Sequence, residues 1–337
     1  MRIQVPEVTT YVDSLNIAWQ QHLAPRDLNA PTVVSTFAGC GGSSLGYSMA
    51  GYHELLAVEW DDNAIATFRL NFPDVPVYHG DIAALSVEEC CRLAGIAPGQ
   101  LDVLDGSPPC QGFSTAGKRV LDDPRNDLFR EFVRLLTGLQ PRVFVMENVS
   151  GMVKGKMKLV FAECLRELKA AGYQVSARLL NAMYFGVPQS RQRMIFIGVR
   201  KDIGVVPSHP IAQSKVFTIG DAVCPPEGTI GYVTASNERH TLAGRRAVAG
   251  VGQPMATLVR TGNSRMMKPW KIVPITREEA ARFASFPDDF LWANNAIAQI
   301  GNSVPPLFMR AISSHIRQHI LGRVPTTPLS STYPLEL

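Results

Sequence analysis

The surroundings of one cysteine, Cys110, favour a chemical role over simple packing. It follows the apolar run LDVL and two consecutive prolines, Pro108 and Pro109, and it precedes the basic stretch QGFSTAGKR. The prolines restrict the backbone in front of the thiol, whereas most cysteines in other settings are small buried hydrophobes. A rigidly held nucleophile followed by Lys118 and Arg119 indicates chemistry on an anionic polymer, although the two cations also fit an ordinary solvated surface.

A glutamate and two arginines are predicted to share the edge of a sheet with this cysteine. Glu147 ends the apolar run RVFVMEN, and Arg191 and Arg193 stand at alternating positions in PQSRQR. Taken singly, such residues more often form salt bridges. Because α/β sheets bind ligands at the carboxyl ends of their strands, a common edge for these side chains and Cys110 indicates a catalytic site.

The stretch STFAGCGGSSLG indicates a nucleoside ligand beside the first predicted strand. Ser44 stands where the dinucleotide fingerprint needs its third glycine, so a pyrophosphate is disfavoured. Glu59, at the end of the second strand, can accept hydrogen bonds from ribose hydroxyls, and Asp81, after the third strand, from an adenine amino group. S-adenosylmethionine fits these features, with Phe37 and Trp60 as π faces near its sulfonium. The alternative is that the glycines only turn the chain and the acids only lie in solvent.

A thiol, a carboxyl, an arginine and a methyl sulfonium together fit methylation of cytosine at carbon 5. Adding a Cys110 thiolate to carbon 6 makes carbon 5 nucleophilic, while a protonated Glu147 at ring nitrogen 3 takes up the developing charge. An arginine on the carbonyl oxygen stabilises the same intermediate. Because carbon 6 is shielded in a duplex, the base must be flipped out of the stack.

Strand-like and helix-like segments alternate from residue 32 to about residue 200, which is typical of an α/β fold with a doubly wound, Rossmann-like sheet. Gly138 and Gly172 are predicted to end helices. The alternation stops between about residues 202 and 272, where Gly, Pro, Thr and Arg are frequent, and a second domain of short strands and loops is predicted there.

Two helix starts are marked in the last part of the chain. Thr276 and Glu279 have the spacing of a capping box. Pro305 and Pro306 stand where a last helix begins, because a missing N–H costs little in a first turn.

The composition is that of a folded protein, because 46% of the 337 residues are hydrophobic and only 18% are charged. A net charge of +4 fits a polyanionic partner but equally none. Six scattered cysteines without ligand spacing predict reduced thiols and no metal. With no leader and no apolar run of about 20 residues, we expect a cytoplasmic monomer without membrane contact.

Six motifs in order give the chain a specific resemblance over most of residues 32–322. FAGCGG, PPCQGFS, ENV, QSRQR, REEAARFASFPDDF and GNSVPP resemble motifs of the DNA (cytosine-5-)-methyltransferases. The resemblance implies Cys110 as nucleophile, Glu147 at ring nitrogen 3 and the amino group, and Arg193 at the carbonyl oxygen with Arg191 supporting it. It also implies double-stranded DNA as substrate and S-adenosylmethionine as cofactor, bound by Phe37, Gly39, Gly41, Glu59, Trp60, Asp81, Ile82, Pro109, Leu128 and Asn302.

The resemblance also implies a division of the chain into parts. We expect an N-terminal extension at 1–30, a catalytic and cofactor-binding domain at 31–202, a target recognition domain at 203–271, a return segment at 272–325 and a tail at 326–337. Two departures from the family pattern stand out, namely Ser35 where an acid usually precedes the FAG stretch and Asn126–Asp127 where Arg-Gly usually precedes Leu128.

The same residues are compatible with three alternative functions. The same chemistry serves methylation of transfer RNA, but a recognition segment of about seventy residues favours DNA. A DNA-binding regulator without turnover would not need the intact set of Cys110, Glu147 and Arg193, and a cysteine hydrolase would need a histidine beside Cys110. Arg265 and Lys268 are candidates for DNA contact, and a cognate restriction endonuclease is a candidate partner.

We predict that Cys110→Ser abolishes methyl transfer while leaving cofactor and DNA binding close to the wild type, because only the covalent step needs the thiolate. Tritiated methyl transfer, measured beside cofactor and DNA titrations, checks this expectation. Substantial residual methylation would rule out Cys110 as the nucleophile.

Overall fold

The computed structural model describes residues 10–109, 124–153, 155, 157–235, 246–260, 264–269 and 271–323. Cys110, Lys118 and Arg119 lie outside the described residues. The strands are β1 Thr32–Thr36, β2 His53–Glu59, β3 Val77–His79, β4 Val103–Gly106, β5 Val143–Val149, β6 Tyr173–Asn181, β7 Gln189–Ser190, β8 Gln192–Arg200, β9 Gly231–Ala235, β10 Arg246–Gly250, β11 Met255–Ala256, β12 Ser264–Lys268 and β13 Lys271–Pro274. The helices are α1 Tyr11–Leu23, α2 Gly42–Met49, α3 Asp62–Asn71, α4 Val87–Ala94, α5 Pro124–Leu139, α6 Met157–Ala170, α7 Ile219–Ala222, α8 Arg277–Phe283, α9 Ala296–Asn302 and α10 Pro306–His319.

Seven strands form the main sheet in the order β3-β2-β1-β4-β5-β8-β6. Strands β1 to β5 are parallel where they pair, whereas β8 runs antiparallel to both β5 and β6. The connection between β6 and β8 spans only residues 182–191, which is shorter than a parallel crossover needs. The predicted α/β sheet is therefore confirmed, with one reversed strand near its edge.

Alternate residues of the strands face two separate cores, as expected for a sheet covered on both sides. Val33, Val103 and Val143 belong to the core that α1, α2 and α10 cover. Their neighbours along the chain belong to the opposite core, which α4, α5 and α6 cover. This two-sided cover is the doubly wound arrangement that the sequence predicts.

The prediction for Gly172 is confirmed and that for Gly138 is wrong. Gly172 takes a φ of 99° two residues after the end of α6, in the left-handed region that favours glycine. Gly138 lies inside α5, where a Cβ would approach a methyl of Val87 on α4 to 2.4 Å. Its lack of a side chain allows two helices to pack closely and does not end α5.

The region between the two parts of the sheet domain forms its own four-stranded sheet, in the order β10-β9-β12-β13. Tyr232 of β9 packs its ring against Phe283 of α8 at 5.4 Å and donates its hydroxyl to Glu279 at 2.9 Å. Glu279 also completes the predicted capping box with Thr276. The short strands predicted for this region are confirmed.

The last helix packs closely on the first helix of the sheet domain. A Cβ on Gly46 of α2 would lie 2.7 Å from the Pro306 carbonyl, and one on Gly42 would lie 2.4 Å from the Val304 carbonyl. Asn71 of α3 exchanges hydrogen bonds with both backbone groups of Leu291, at 2.8 and 2.9 Å. The segment from Leu291 to Pro306 is thus packed on α2 and α3.

Helix α1, in the described part of the N-terminal extension, is also packed on this core. Tyr11, at the start of α1, donates its hydroxyl to the Arg282 carbonyl at 2.5 Å and packs beside the ring of Phe217. His22, near the end of α1, shares a hydrogen bond of 2.6 Å with Ser48 of α2. The extension therefore joins α2 to the segment around α8.

Two buried acids lie against helix α2, which follows β1. Burial raises the pKa of Glu54 to about 7 and that of Asp105 to about 8. Ser44 donates to Glu54 at 2.8 Å, and Tyr47 donates to Asp105 at 3.2 Å. A folded-state pKa above the unfolded value means that the native protein binds the proton more tightly, so stability is full at low pH and is lost as pH rises through the folded pKa.

We therefore expect Glu54→Gln to flatten the pH dependence of stability. Between about pH 5 and pH 8 the wild type should lose on the order of 2 kcal/mol more free energy of unfolding than the variant, because glutamine does not ionise. Urea denaturation at intervals across this range measures the difference. Parallel curves for the two proteins would contradict the assignment of this loss to Glu54.

Candidate active site

The loop between β1 and α2 has three residues in the left-handed region of backbone conformation. Phe37, Gly39 and Gly41 have φ values of 56°, 58° and 95°. A Cβ on Gly41 would approach the ring of Phe72 to 2.5 Å, so a side chain is excluded there. A Cβ on Gly39 would meet no described atom within 4 Å, so this turn faces open space. Positive φ at Phe37 is unusual for a large side chain and is a mark of functional loops.

Glu59 binds this loop with its carboxylate. One oxygen accepts the Gly39 amide at 2.8 Å, and the other accepts the amides of Trp60 and Asp61 at 2.8 and 3.0 Å. A carboxylate has about four acceptor positions, so one remains for a ligand. Glu59 thus organises the predicted cofactor loop from the end of the neighbouring strand.

The other predicted cofactor residues lie along the same edge. Asp81 is exposed after β3, and one of its oxygens accepts the Ala83 amide at 3.0 Å. Trp60 exposes 77% of its surface, so its ring is free to contact a ligand. The remaining members are the buried Ile82, the exposed Pro109 after β4, the half-buried Leu128 on α5 and the exposed Asn302 at the end of α9.

Glu147 and Arg193 meet at the carboxyl end of β5. Arg193 Nε lies 2.6 Å from Glu147 Oε1, and both side chains are largely buried. The pairing of β5 with β8 sets Arg193 opposite Val149, two residues beyond Glu147. A guanidinium and a carboxyl held together in this way can contact adjacent polar atoms of one small planar ligand.

Arg191 has different hydrogen-bond partners from Arg193. Its Nη1 donates to the carbonyls of Leu258 at 3.2 Å and Gly301 at 3.1 Å. Burial and, to a lesser extent, the nearby Arg193 lower its pKa to about 9, although Glu147 acts in the opposite direction. The structure therefore assigns Arg191 to the junction of three chain segments, where it supports the strand that carries Arg193.

Sequence reasoning missed one residue that shapes this edge. Asn148 Nδ2 donates to the Pro108 carbonyl at 3.0 Å, which ties the end of β5 to the proline pair before Cys110. The only sequence signal is its place beside Glu147 in the ENV motif. Cys110 itself lies outside the described residues, so its distance to Glu147 stays a prediction.

The described ranges hold neither a cluster of metal ligands nor a membrane-spanning helix. Within them, no three His, Cys, Asp or Glu side chains converge as metal ligands. No helix in the same ranges is both long and apolar enough to cross a membrane.

We expect Glu59→Gln to weaken cofactor binding by at least about tenfold, because an amide NH₂ cannot accept the loop N–H groups that the carboxylate accepts. Isothermal titration with S-adenosylmethionine measures the effect. The control is Asp62→Asn, since Asp62 is 86% exposed and pairs only with His79 among the described residues. Equal affinities for both variants and the wild type would contradict the organising role of Glu59.

The chain is similar to known proteins over most of its length. The family model of the C-5 cytosine-specific DNA methylases matches residues 32–222 and 229–318. The type II methyltransferase M1.HphI of Haemophilus parahaemolyticus is 36% identical over 330 residues, covering 85% of this chain and 86% of that protein. The type II methyltransferase M.XorII of Xanthomonas oryzae pv. oryzae is 30% identical over 374 residues, covering 89% and 88%.

A solved structure has the same fold. It belongs to an E. coli prophage protein assigned as a DNA modification methyltransferase, and it superposes with a TM-score of 0.70 at 25% identity, covering 87% of this chain and all of that one. The predicted Rossmann-like methyltransferase fold is thereby confirmed. With the family model matched over most of its length, this chain belongs to the C-5 cytosine-specific DNA methylases and is a DNA (cytosine-5-)-methyltransferase.

Proposed function

We propose that this enzyme transfers a methyl group from S-adenosylmethionine to carbon 5 of a flipped-out cytosine in double-stranded DNA, through a covalent adduct with Cys110. The observation that carries the proposal is the pair of Glu147 and Arg193, 2.6 Å apart at the sheet edge that also holds the positive-φ loop after β1. The two groups are spaced to meet neighbouring atoms of a single pyrimidine ring.

The loop after β1 fits a ligand without phosphates. Loop amides that bind a pyrophosphate must be free to donate, but the Gly39 amide already donates to Glu59. A carboxylate at this position repels phosphates and attracts a cation such as a sulfonium. When bound, S-adenosylmethionine supplies the electrophilic methyl group.

Each cofactor residue has a distinct task in this proposal. Glu59 keeps one acceptor position for a ribose hydroxyl, and Asp81 keeps its second oxygen for the adenine amino group. Phe37 and Trp60 offer π faces to the sulfonium and the base. The other contacts come from Gly39, Gly41, Ile82, Pro109, Leu128 and Asn302.

The pyrimidine is activated by the remaining side chains. Cys110 adds to carbon 6, and Glu147 holds a proton at ring nitrogen 3 while charge develops there. Within the described part of the chain, Nη2 of Arg193 makes no hydrogen bond, because Nε binds Glu147 and Nη1 binds the Gln192 carbonyl. Nη2 is therefore available to the carbonyl oxygen of the ring. After transfer, carbon 5 loses its proton and the thiol leaves carbon 6.

The domain division follows from the same proposal. Residues 203–271 form the target recognition domain, with Arg265 and Lys268 as candidate DNA contacts, and residues 31–202 with 272–325 form the catalytic domain. The relatives are named type II methyltransferases. We therefore include a role in restriction–modification, with a cognate endonuclease as partner and the enzyme acting as a monomer.

The proposal is tested by tritiated methyl transfer from S-adenosylmethionine to unmethylated DNA and to transfer RNA, followed by bisulfite sequencing of the DNA. Methylation at one recurring cytosine context is the expected result. DNA carrying 5-fluorocytosine at that position should trap the enzyme covalently. Carbon 5 then carries fluorine in place of the proton that must leave before the thiol can be eliminated. Transfer to RNA alone would contradict the proposed substrate, and DNA binding without transfer to either would favour a regulator.

Arg193→Lys provides a variant arm for the same assay. Lysine keeps the charge but loses the planar fork, so we expect turnover to fall by roughly a hundredfold or more with little change in cofactor affinity. Arg200→Lys is the matched control, because Arg200 ends the same strand and pairs with Asp202 away from the site. Similar rates for the two variants would contradict the role of Arg193.

A further inference from the structure

One arginine outside the site described above, Arg134 on α5, is bonded to the turn at the adenine end of the cofactor region. Its Nη2 donates to the carbonyls of Ile82 at 3.0 Å and Leu85 at 2.8 Å. Its Nε pairs with Glu131, one helical turn earlier, at 2.6 Å. Ile82 and Leu85 are both buried, so their carbonyls are expected to bond within the protein, and Arg134 contacts both of them beside the Leu85 amide that Ile82 also accepts.

The turn that Arg134 holds has few hydrogen bonds of its own. It is a 3₁₀ helix of three residues, Ile82–Ala84. Its backbone bonds run from Ala84 to Asp81 at 3.0 Å and from Leu85 to Ile82 at 3.2 Å. Such short segments have poor hydrogen-bond geometry. The Arg134 guanidinium binds the carbonyl of Ile82, the first residue of the turn, and that of Leu85, which follows the turn. These two bonds fix the orientation of the peptide planes at both ends of the turn.

The same helix carries another predicted cofactor residue. Leu128 lies six positions before Arg134 on α5, about 9 Å along the axis. Leu128 and Phe37 both pack against the core that also contains Ile82 and Leu85. Arg134 therefore links two sides of the region where the adenosine moiety would lie.

We propose that Arg134 is a positioning residue that sets Asp81 and Ile82 for adenine recognition and thereby determines the affinity for S-adenosylmethionine. The inference rests on the cofactor roles proposed for Asp81 and Ile82. Arg134 acts through the backbone carbonyls and touches neither the cofactor nor the pyrimidine.

The test compares Arg134→Met, which keeps the aliphatic bulk but removes every donor, with Arg134→Lys, which can reach one carbonyl. The expected result for Arg134→Met is a rise of roughly tenfold in the Kd and KM for S-adenosylmethionine. Turnover at saturating cofactor and the Kd for unmethylated duplex DNA should stay within about twofold of the wild type. Arg134→Lys should recover part of the lost affinity.

Two controls separate the carbonyl contacts from the ion pair. Glu131→Gln removes the partner charge but leaves both carbonyl bonds, so its cofactor affinity should remain close to the wild type. Arg92→Met removes an equivalent pair, since Arg92 on α4 binds Glu89 three residues earlier with both of its hydrogen bonds. Its cofactor affinity should also be unchanged.

The inference is overturned if folded Arg134→Met binds S-adenosylmethionine as the wild type does, or if it loses cofactor and DNA affinity equally, as general destabilisation would cause. If thermal melting shows that Arg134→Met does not fold, the comparison of Arg134→Lys with Glu131→Gln decides, and equal affinities refute the role. Asp81→Ala in the same titrations separates the cofactor role of Asp81 from the positioning role of Arg134. A wild type that binds no cofactor refutes the proposed function, whereas loss of affinity in Asp81→Ala alone refutes only the role of Arg134.

Discussion

The reversed direction of β8 is the constraint on which the candidate site depends. Because β8 runs antiparallel to β5, its first residues lie at the edge where the parallel strands end. Arg193, the second residue of this nine-residue strand, therefore meets Glu147. In a parallel strand the same residue would lie roughly 25 Å away at the opposite edge. The direction of β8 in the sheet therefore places Arg193 beside Glu147. The sequence around Arg193 does not by itself determine this position.

The site is completed by segments from distant parts of the chain. Arg191 joins the segment around Leu258 to Gly301, and a Cβ on Gly301 would lie 2.4 Å from the Val259 backbone. The Ser303 hydroxyl lies 3.0 Å from the thiol of Cys40, which belongs to the loop that Glu59 organises. Movement of the return segment would therefore disturb the loop after β1 and the strand of Arg193 together.

Much of this arrangement could be predicted because parallel sheets place strand ends at one edge. Glu59, Asp81 and Glu147 each follow an apolar run, and the structure brings them to that edge. The different environments of Arg191 and Arg193 could not be predicted, because they depend on where β8 begins and on carbonyls from segments far along the chain. The packing role of Gly138 could not be predicted for the same reason, because it depends on how closely Val87 of α4 approaches α5.

One of the two buried acids, Glu54, lies close to a departure from the expected family pattern. Ser35 stands where the family usually has an acid, and its buried hydroxyl has no hydrogen-bond partner among the described residues. The same holds for Oε2 of Glu54, although Ser35 lies close enough to affect the pKa of that carboxyl. Burial penalises the ionised carboxyl more than the nearby Ser35 and Ser44 hydroxyls stabilise it, so a protonated Glu54 fits this site. The serine that departs from the expected family pattern on the first strand thus lies close to a carboxyl from the second strand.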